Sequence, residues 1–260
     1  MQISILAGEV LGISIFIALI GLWIVRRTVS LEKLKSHHEV AGFIIGIVGT
    51  IYAVLLAFLV VVQWNKYQDA STLVTTEANL LGDISRMAES LSADQRKQVL
   101  TDLRDYAQLV TDKEWPALAQ GHSDDSVTDR LNGLWRSYVM EIKPVTLQES
   151  ALYAESLKRL NDLSDTRRLR VNASTDGVPP ALWILLIGGG ITTIAFTFFF
   201  GVPDMRAQIL MVAALTGEIA FILLLLVALD NPYKGDLAVG PDPIHDQAVH
   251  IGGRLSKGGF

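Results

Sequence analysis

Glu218 is the residue whose type and position point most directly to chemistry. It interrupts an apolar run from about Ile209 to Leu229, and a charge at the centre of a membrane helix costs about 2.5–3.5 kcal/mol on insertion scales. The acid is therefore protonated, paired or in contact with water. Two interpretations fit equally well: a site in a pore, gate or proton pathway, and a hydrogen-bonded acid between packed helices. Glu9, near one end of the first apolar run, is more typical of a side chain that reaches the membrane surface.

Three arginines form a second candidate group. Arg167, Arg168 and Arg170 lie shortly before the third apolar run. They could attract permeating anions or anionic lipid head groups, or they could form an ordinary solvated helix face. The residue types alone favour neither interpretation.

Catalysis has little support in this sequence. The chain has no cysteine, which excludes disulfides and Cys-ligated metals. It also has no phosphate-binding loop, no nucleophile elbow and no two-histidine zinc motif. His37 and His38 beside Glu39 could hold a metal, but neighbouring side chains on a helix point apart, which favours a polar loop. Catalysis would depend on Glu218 and this histidine pair alone. We therefore predict that the protein is not an enzyme and has no metal site and no cofactor.

The chain is organised around an uncharged apolar run from Gly42 to Val62. A membrane-spanning helix needs about 20 such residues. At about 100° per residue, the small residues form one stripe and the bulky residues form the opposite face. Small stripes allow close helix packing in lipid, whereas the bulky face could meet lipid or line a narrow apolar pore. The helix-packing residues are Gly42, Gly46, Gly49, Ala53 and Ala57, and the candidate pore-lining residues are Ile44, Val48, Ile51, Leu55 and Phe58.

The remaining sequence predicts an all-α integral membrane protein with four transmembrane helices. The polar block has helical spacing, no strand-like alternation, and capping-box patterns at Ser92–Gln95 and Thr146–Glu149. We expect a helical domain inserted between the second and third membrane helices, and a flexible end over Gly252–Phe260. The predicted segments are 1–64 (transmembrane helices 1 and 2), 65–178 (helical domain), 179–230 (transmembrane helices 3 and 4) and 231–260 (C-terminal tail).

Charge leaves the orientation in the membrane open. Arg26 and Arg27 directly follow the first apolar run, which argues for a retained helix rather than a secretory signal. A short loop is expected over Thr28–Glu39. Its basic residues favour a cytoplasmic position for the short loops, but further basic residues flank the membrane on the domain side. The net charge of −5 gives no electrostatic support for a nucleic-acid partner.

Six stretches of the chain match one known pattern, namely Glu39–Phe43, Thr50–Phe58 with Trp64, Glu77–Asn79, Glu114–Pro116, Ala151–Arg170 and Phe196–Gly201. Together they resemble a bacterial bestrophin-like membrane protein family, and the resemblance covers about residues 20–235. Asn231–Asp236 is similar to an Asn-Pro-Phe-Gly stretch of bestrophins that binds calcium in animal members, but the acidic run that follows it there is missing.

Bestrophins are homopentameric anion channels with four membrane helices per subunit and a large helical region between the second and third. The resemblance implies a multi-pass protein of the bacterial inner membrane that forms a homo-oligomer, a pentamer if the likeness extends so far. Its partners would be the lipid bilayer, other copies of the chain and small inorganic anions. The second helix would line a hydrophobic neck, which could gate by dewetting. The alternative is a non-conducting scaffold or sensor whose helical domain binds a protein partner.

Overall fold

A computed structural model describes residues 2–36 and 38–257, and these residues contain no strand. The prediction of an all-helical protein is therefore confirmed. A 3₁₀ turn, Ala88–Ser90, follows the third helix, and a π-helical turn, Val110–Glu114, joins the fourth to the fifth. The α-helices are α1 (Gln2–Thr28), α2 (Leu31–Ser36), α3 (His38–Met87), α4 (Ala93–Leu109), α5 (Trp115–Leu118), α6 (Asp125–Glu141), α7 (Leu147–Ala173), α8 (Pro180–Phe198), α9 (Met205–Asp230) and α10 (Asp242–Lys257).

The chain divides into two compact units. Unit 1 comprises the chain up to Asn65 together with Val178–Asp230, and unit 2 comprises Lys66–Gly177 together with the chain from Asn231 onward. Among the described residues, four helices are long and apolar enough to cross a membrane, as predicted. Their candidate spans are Ala7–Thr28, Glu39–Ser90, Pro180–Phe198 and Met205–Asp230.

Helix α3 contributes to both units. It contains 50 residues, which at 1.5 Å per residue makes it about 75 Å long, whereas the hydrocarbon core of a bilayer is about 30 Å thick. The sequence predicts that the second span continues past Trp64 without a break. The single uninterrupted helix confirms this prediction.

Unit 1 is held together by apolar contacts between α3, α8 and α9 and between α1 and α9. Tyr52, Leu56 and Leu59 of α3 pack against Leu186 of α8 and Ile219 of α9. A second cluster joins α1 to α9 and contains Ala18, Leu22 and Val212. The apolar interior of unit 1 is therefore divided into two small clusters.

Unit 2 has a larger core to which the C-terminal segment contributes. Ile244, Ala248 and Ile251 are buried on one face of α10, and this helix packs against α4. The sequence predicts that Gly252–Phe260 is flexible, but α10 continues to Lys257, so this prediction is wrong up to Lys257. The buried residues before Gly252 have the spacing of one helical stripe, and this stripe is the sequence pattern that indicates the helix. Residues 258–260 lie outside the described part of the chain.

Two other local predictions fail and one is confirmed. The predicted loop Thr28–Glu39 contains helix α2. Ser92 is the N-cap residue of α4, as predicted, but the predicted capping box is absent, because the Ser92 hydroxyl donates to the Gln95 side chain (3.0 Å) and forms no capping hydrogen bond. Thr146 and Glu149, by contrast, form the complete capping box at the start of α7.

Candidate functional site

The part of α3 in unit 1 buries only one of its faces within the chain. Tyr52, Leu56, Leu59 and Gln63 follow helical spacing and are all buried. The Tyr52 hydroxyl donates to the carbonyl oxygen of Leu186 at 3.0 Å. At 100° per residue, this buried face lies between the small stripe and the bulky face that the sequence predicts. Both predicted faces are therefore mostly turned away from the rest of the chain.

The candidate pore-lining residues lie on this partly uncovered surface. Ile51 is 66% exposed and Phe58 is 64% exposed, and Ile44 is also exposed. Val48 and Leu55 are half-buried, and Leu55 packs against the cluster between α3, α8 and α9. The face is open to a pore, to lipid or to another subunit, so a pore-lining role stays a prediction.

The small stripe of α3 packs on little within the described chain. A Cβ atom added at Gly46 or Gly49 would meet nothing within 4 Å, and one at Gly42 would meet only the Phe200 ring, at 3.9 Å. Ala53 and Ala57 are exposed. A helix that packs closely on this stripe would therefore have to come from another molecule, and the predicted packing role stays a prediction.

Close helix packing in unit 1 occurs at other glycines, among them two glycines of α8. A Cβ atom at Gly189 would lie 2.6 Å from Cδ2 of Tyr52, and one at Gly190 would lie 2.9 Å from the Tyr52 hydroxyl. The glycines therefore make room for the aromatic ring of α3. The sequence analysis did not predict this contact of Tyr52. The sequence nevertheless contains a signal for it, because an aromatic residue in one span can pack on a Gly-Gly pair in another.

Glu218 is exposed on an outward face of α9. Its helical neighbours on this face are apolar or small, namely Leu210, Ala214 and Phe221, and all three are exposed. Within the described residues, no hydrogen bond or ion pair holds the Glu218 carboxyl group. Glu9 is also exposed on α1.

Unit 2 contains a buried ion-pair cluster around Arg170. The Arg170 guanidinium donates to Glu77 (2.6 and 3.1 Å) and to Glu114 (2.7 Å), and all three side chains are 0% exposed. Tyr106 donates its hydroxyl to Glu77 at 2.7 Å. Arg167 also pairs with Glu114. Two arginines and two glutamates thus balance each other in charge, as buried ions require.

Aromatic residues close this cluster. The Arg170 guanidinium lies 5.1 Å from the centre of the Trp115 ring, and Trp115 meets Tyr233 edge to face at 5.5 Å. The Trp115 indole nitrogen donates to the carbonyl oxygen of Val239 at 3.1 Å. Burial alone lowers the pKa of Arg170, but the carboxylates of Glu77 and Glu114 outweigh it and raise the pKa above its usual range. The guanidinium therefore stays charged.

The arrangement changes the interpretation of the three arginines. Arg167 and Arg170 are buried and paired, so their guanidinium groups are not available to a lipid head group or a passing anion. Only Arg168 is exposed, and it pairs with Asp165 one helical turn earlier. Electrostatic attraction by this run is thus limited to Arg168, for which it stays a prediction.

The Asn231 side chain fixes the segment after α9 to unit 2 through hydrogen bonds to backbone groups. The Asn231 side chain donates to the carbonyl oxygen of Leu118 (3.1 Å) and accepts from the amide of Tyr233 (2.9 Å). Among the described residues, no three His, Cys, Asp or Glu side chains could together hold a metal ion. His37, one of the two histidines considered as a metal ligand, lies outside those residues.

A sequence profile of the Bestrophin-like domain matches residues 12–244. The chain belongs to the Bestrophin-like family. The match covers all four candidate spans apart from the start of the first, together with the buried cluster of unit 2. No curated protein matches the sequence of this bestrophin-like chain.

Solved structures of bacterial bestrophin homologues share its fold. One variant of a homologue from Klebsiella pneumoniae is 13% identical, with a TM-score of 0.67 over 96% of this chain and 99% of that one. A second variant of the same homologue is 14% identical, with a TM-score of 0.67 over 96% of each chain. The bestrophin-like chain is therefore a membrane protein with the fold of the bestrophin channel family.

Proposed function

We propose that this bestrophin-like protein is an oligomeric, anion-permeable channel in which α3 lines a hydrophobic neck. The observation that carries the proposal is the uncharged bulky face of α3, on which Ile51 and Phe58 are about two-thirds exposed. A ring of such faces from several copies would make a narrow apolar constriction, which gates by dewetting. Permeation of small inorganic anions is the activity that the family resemblance implies.

Glu218 supports assembly of several copies. Exposure of a carboxyl group to lipid in the middle of a span is unfavourable, yet Glu218 lies on an exposed face of α9. Contact with water in a pathway or with a neighbouring subunit removes this problem. The proposal therefore assigns the Glu218 face to the assembly rather than to lipid.

Chloride flux from liposomes that contain the purified full-length protein tests the proposal. We expect flux above that of empty liposomes and a higher flux for Ile51→Ala and Phe58→Ala, because both changes widen an apolar constriction. Ile184→Ala is the matched control, since Ile184 of α8 is 74% exposed in the same unit but lies on another helix. A Glu218→Gln variant in the same assay shows whether the acid lies on the pathway.

The outcomes separate a channel from other functions. Absence of flux from folded, oligomeric protein would contradict the channel. Equal flux from the wild type, Ile51→Ala and Phe58→Ala would reject the neck assignment while leaving permeation intact.

A scaffold or sensor that binds a protein partner is the second candidate function. The observation that favours it is an apolar group at the end of α6 and the start of α7 in unit 2, formed by Val139, Met140, Val145 and Leu147, all exposed. Exposed apolar patches of this kind mark interaction sites. Loss of a captured partner from the full-length Leu147→Asp variant, together with absence of ion flux, would favour this function over the channel.

A further inference from the structure

The exposed surface of α3 in the first turns of unit 2 carries few charges. Only one of its exposed residues, an aspartate, is charged. The exposed residues of α7 in the same unit, by contrast, include Glu149, Lys158, Asp165 and Arg168. Charged residues of this kind are typical of the solvent face of a helix, so the surface of α3 has an unusual composition. Its exposed residues are Gln68, Asp69, Ser71, Thr72, Thr75, Thr76 and Asn79.

Three of these residues are threonines, although threonine is a poor helix former. Its branched side chain loses rotamer freedom in a helix, and Lys, Arg or Glu would favour the helix more at an exposed position. The hydroxyls of Thr72, Thr75 and Thr76 donate to the backbone carbonyl oxygens four residues earlier, at 2.8–3.2 Å. The surface is therefore formed by short, polar and mostly neutral side chains.

This polar surface continues the candidate pore-lining face along the same helix. Eighteen residues make five α-helical turns, and by this spacing Asp69 follows Ile51 and Thr76 follows Phe58. Asp69 therefore lies on the line through Ile51 and Phe58, about 17 Å beyond Phe58 at 1.5 Å per residue. Because α3 is one uninterrupted helix from His38 to Met87, the helical phase is kept over this distance.

The Asp69 carboxyl group forms no hydrogen bond or ion pair with any described residue. The other charges in the same turns of α3 have partners. Lys66 pairs with Asp176 at 3.1 Å, and Glu77 is buried against Arg170. Repeated in several copies around a common pathway, the Asp69 carboxylate would form a ring of negative charge. Rings of aspartate or glutamate favour cations over anions.

We propose that Asp69 determines the charge preference of the ion pathway and limits its anion conductance. The inference rests on the proposed channel, because the ring forms only if the bulky face of α3 surrounds a shared pathway. The apolar neck controls whether the pathway contains water, and Asp69 lies beyond the neck on the same face. Its charge lowers the local concentration of chloride and raises that of potassium within a Debye length, about 10 Å in 0.1 M salt.

Reversal potentials of the full-length protein in planar bilayers, measured in a potassium chloride gradient, test this role. Asp69→Asn should raise the permeability of chloride relative to potassium roughly two- to fivefold, the effect of one charge close to an ion in water. Asp69→Lys should raise it further. The difference between the wild type and Asp69→Asn should shrink in 1 M salt, because the Debye length falls there to about 3 Å.

Asp129→Asn is the matched control, and it should leave the permeability ratio unchanged. Asp129 is an exposed acid of α6 in the same unit and forms no ion pair with any described residue. Asp69 is likewise exposed and without such a partner, so its substitutions should leave folding intact.

The absence of cysteine from the chain allows the charge at position 69 to be changed chemically. Asp69→Cys should raise the chloride preference as Asp69→Asn does. Modification of this thiol with a negatively charged sulfonatoethyl methanethiosulfonate should restore the wild-type preference, and a trimethylammonium reagent should raise the chloride preference further. A residue with a purely structural role would respond to both reagents alike.

The outcomes separate this inference from the channel itself. Absence of current from the wild type would contradict the channel and the inference together. Current with an unchanged preference in Asp69→Asn and Asp69→Lys, or an equal change in Asp129→Asn, would overturn the inference alone.

Discussion

Helix α3 is buried differently in its two halves. In unit 1 the chain covers one narrow face, and the flanking surfaces, including Ile51 and Phe58, are open. In unit 2 a continuous stripe is buried at spacings of three and four residues, and it consists of Ala70, Val74, Glu77, Leu81 and Ile84. A helix in lipid can leave apolar surface uncovered, but a helix in water must bury it. The chain therefore completes the core of unit 2 by itself and leaves much of the α3 surface in unit 1 uncovered.

Charged groups differ between the units in the same way. Glu77 is buried in unit 2 with three hydrogen bonds from Arg170 and Tyr106, whereas Glu218 in unit 1 is exposed with no partner among the described residues. In water, burial of a charge requires a partner. In lipid, exposure of a charge is the unfavourable state. Glu218 is therefore a charge that the proposed assembly would have to cover or place in contact with water.

Replacement of Arg170 should cause the largest loss of stability, because it removes a charge that is buried in unit 2. Arg170→Met leaves two buried carboxylates without their shared cation, and breaking a buried ion pair costs about 3–5 kcal/mol. Chemical unfolding of the full-length protein, followed by a probe in unit 2, measures the loss. Arg168→Met is the control, because this exposed neighbour should change the free energy of unfolding by less than about 0.5 kcal/mol. Equal losses in the two variants would mean that the cluster does not stabilise unit 2.

A glycine of α8 tests the covered face of α3 in unit 1. The new Cβ atom of Gly189→Ala would overlap the Tyr52 ring, and overpacking of this kind costs about 1–3 kcal/mol. Gly188→Ala is the matched control, since a Cβ atom there meets nothing within 4 Å. The midpoint of thermal unfolding in nanodiscs compares them. In a Tyr52→Leu background the difference between the two variants should shrink, and a difference that persists would contradict the proposed contact.

A substitution in the open small-residue stripe of α3 should have the smallest effect on the stability of the subunit itself. Gly49→Leu meets open space within the chain, so subunit stability should change by less than about 0.5 kcal/mol. If the stripe packs on a neighbouring copy, the larger side chain should release subunits, which native mass spectrometry detects. Gly12→Leu, at an equally open site on α1, is the comparison. An oligomer that survives Gly49→Leu would assign the stripe to lipid.

Much of the fold could be predicted from periodicity and length. The apolar runs, the unbroken α3 and the capping box at Thr146 depend on residues that are neighbours in sequence. Ser92 shows the limit of such patterns, because its hydroxyl could interact with either the α4 backbone or the Gln95 side chain, and the sequence contains no information that decides between them. The helical C-terminal segment was missed because two glycines outweighed the spacing of Ile244, Ala248 and Ile251.

The buried cluster was missed for a different reason. Arg170 and Glu77 are 93 residues apart in sequence, and a run of three arginines is more typical of an exposed face. A signal was nevertheless present, because Glu77 occupies a core position of α3 and two of the arginines continue the buried stripe of α7. That stripe consists of Ser156, Leu160, Leu163, Arg167 and Arg170. Charges that continue an apolar stripe indicate buried partners elsewhere in the chain.

The π-helical turn Val110–Glu114 makes the cluster depend on chain length as well as on residue type. A π turn is wider than an α turn, so each of its residues advances by less than 100° around the helix axis. As a result, Glu114 and Trp115 are both buried beside Arg170, whereas Lys113 stays exposed. Deletion of one residue from this turn would restore the α-helical phase and rotate the following residues by about 100°. Such a deletion would separate Glu114 from Arg170 without changing the identity of either residue. The number of residues in this turn is therefore constrained, so the segment should tolerate substitutions but not an insertion or a deletion.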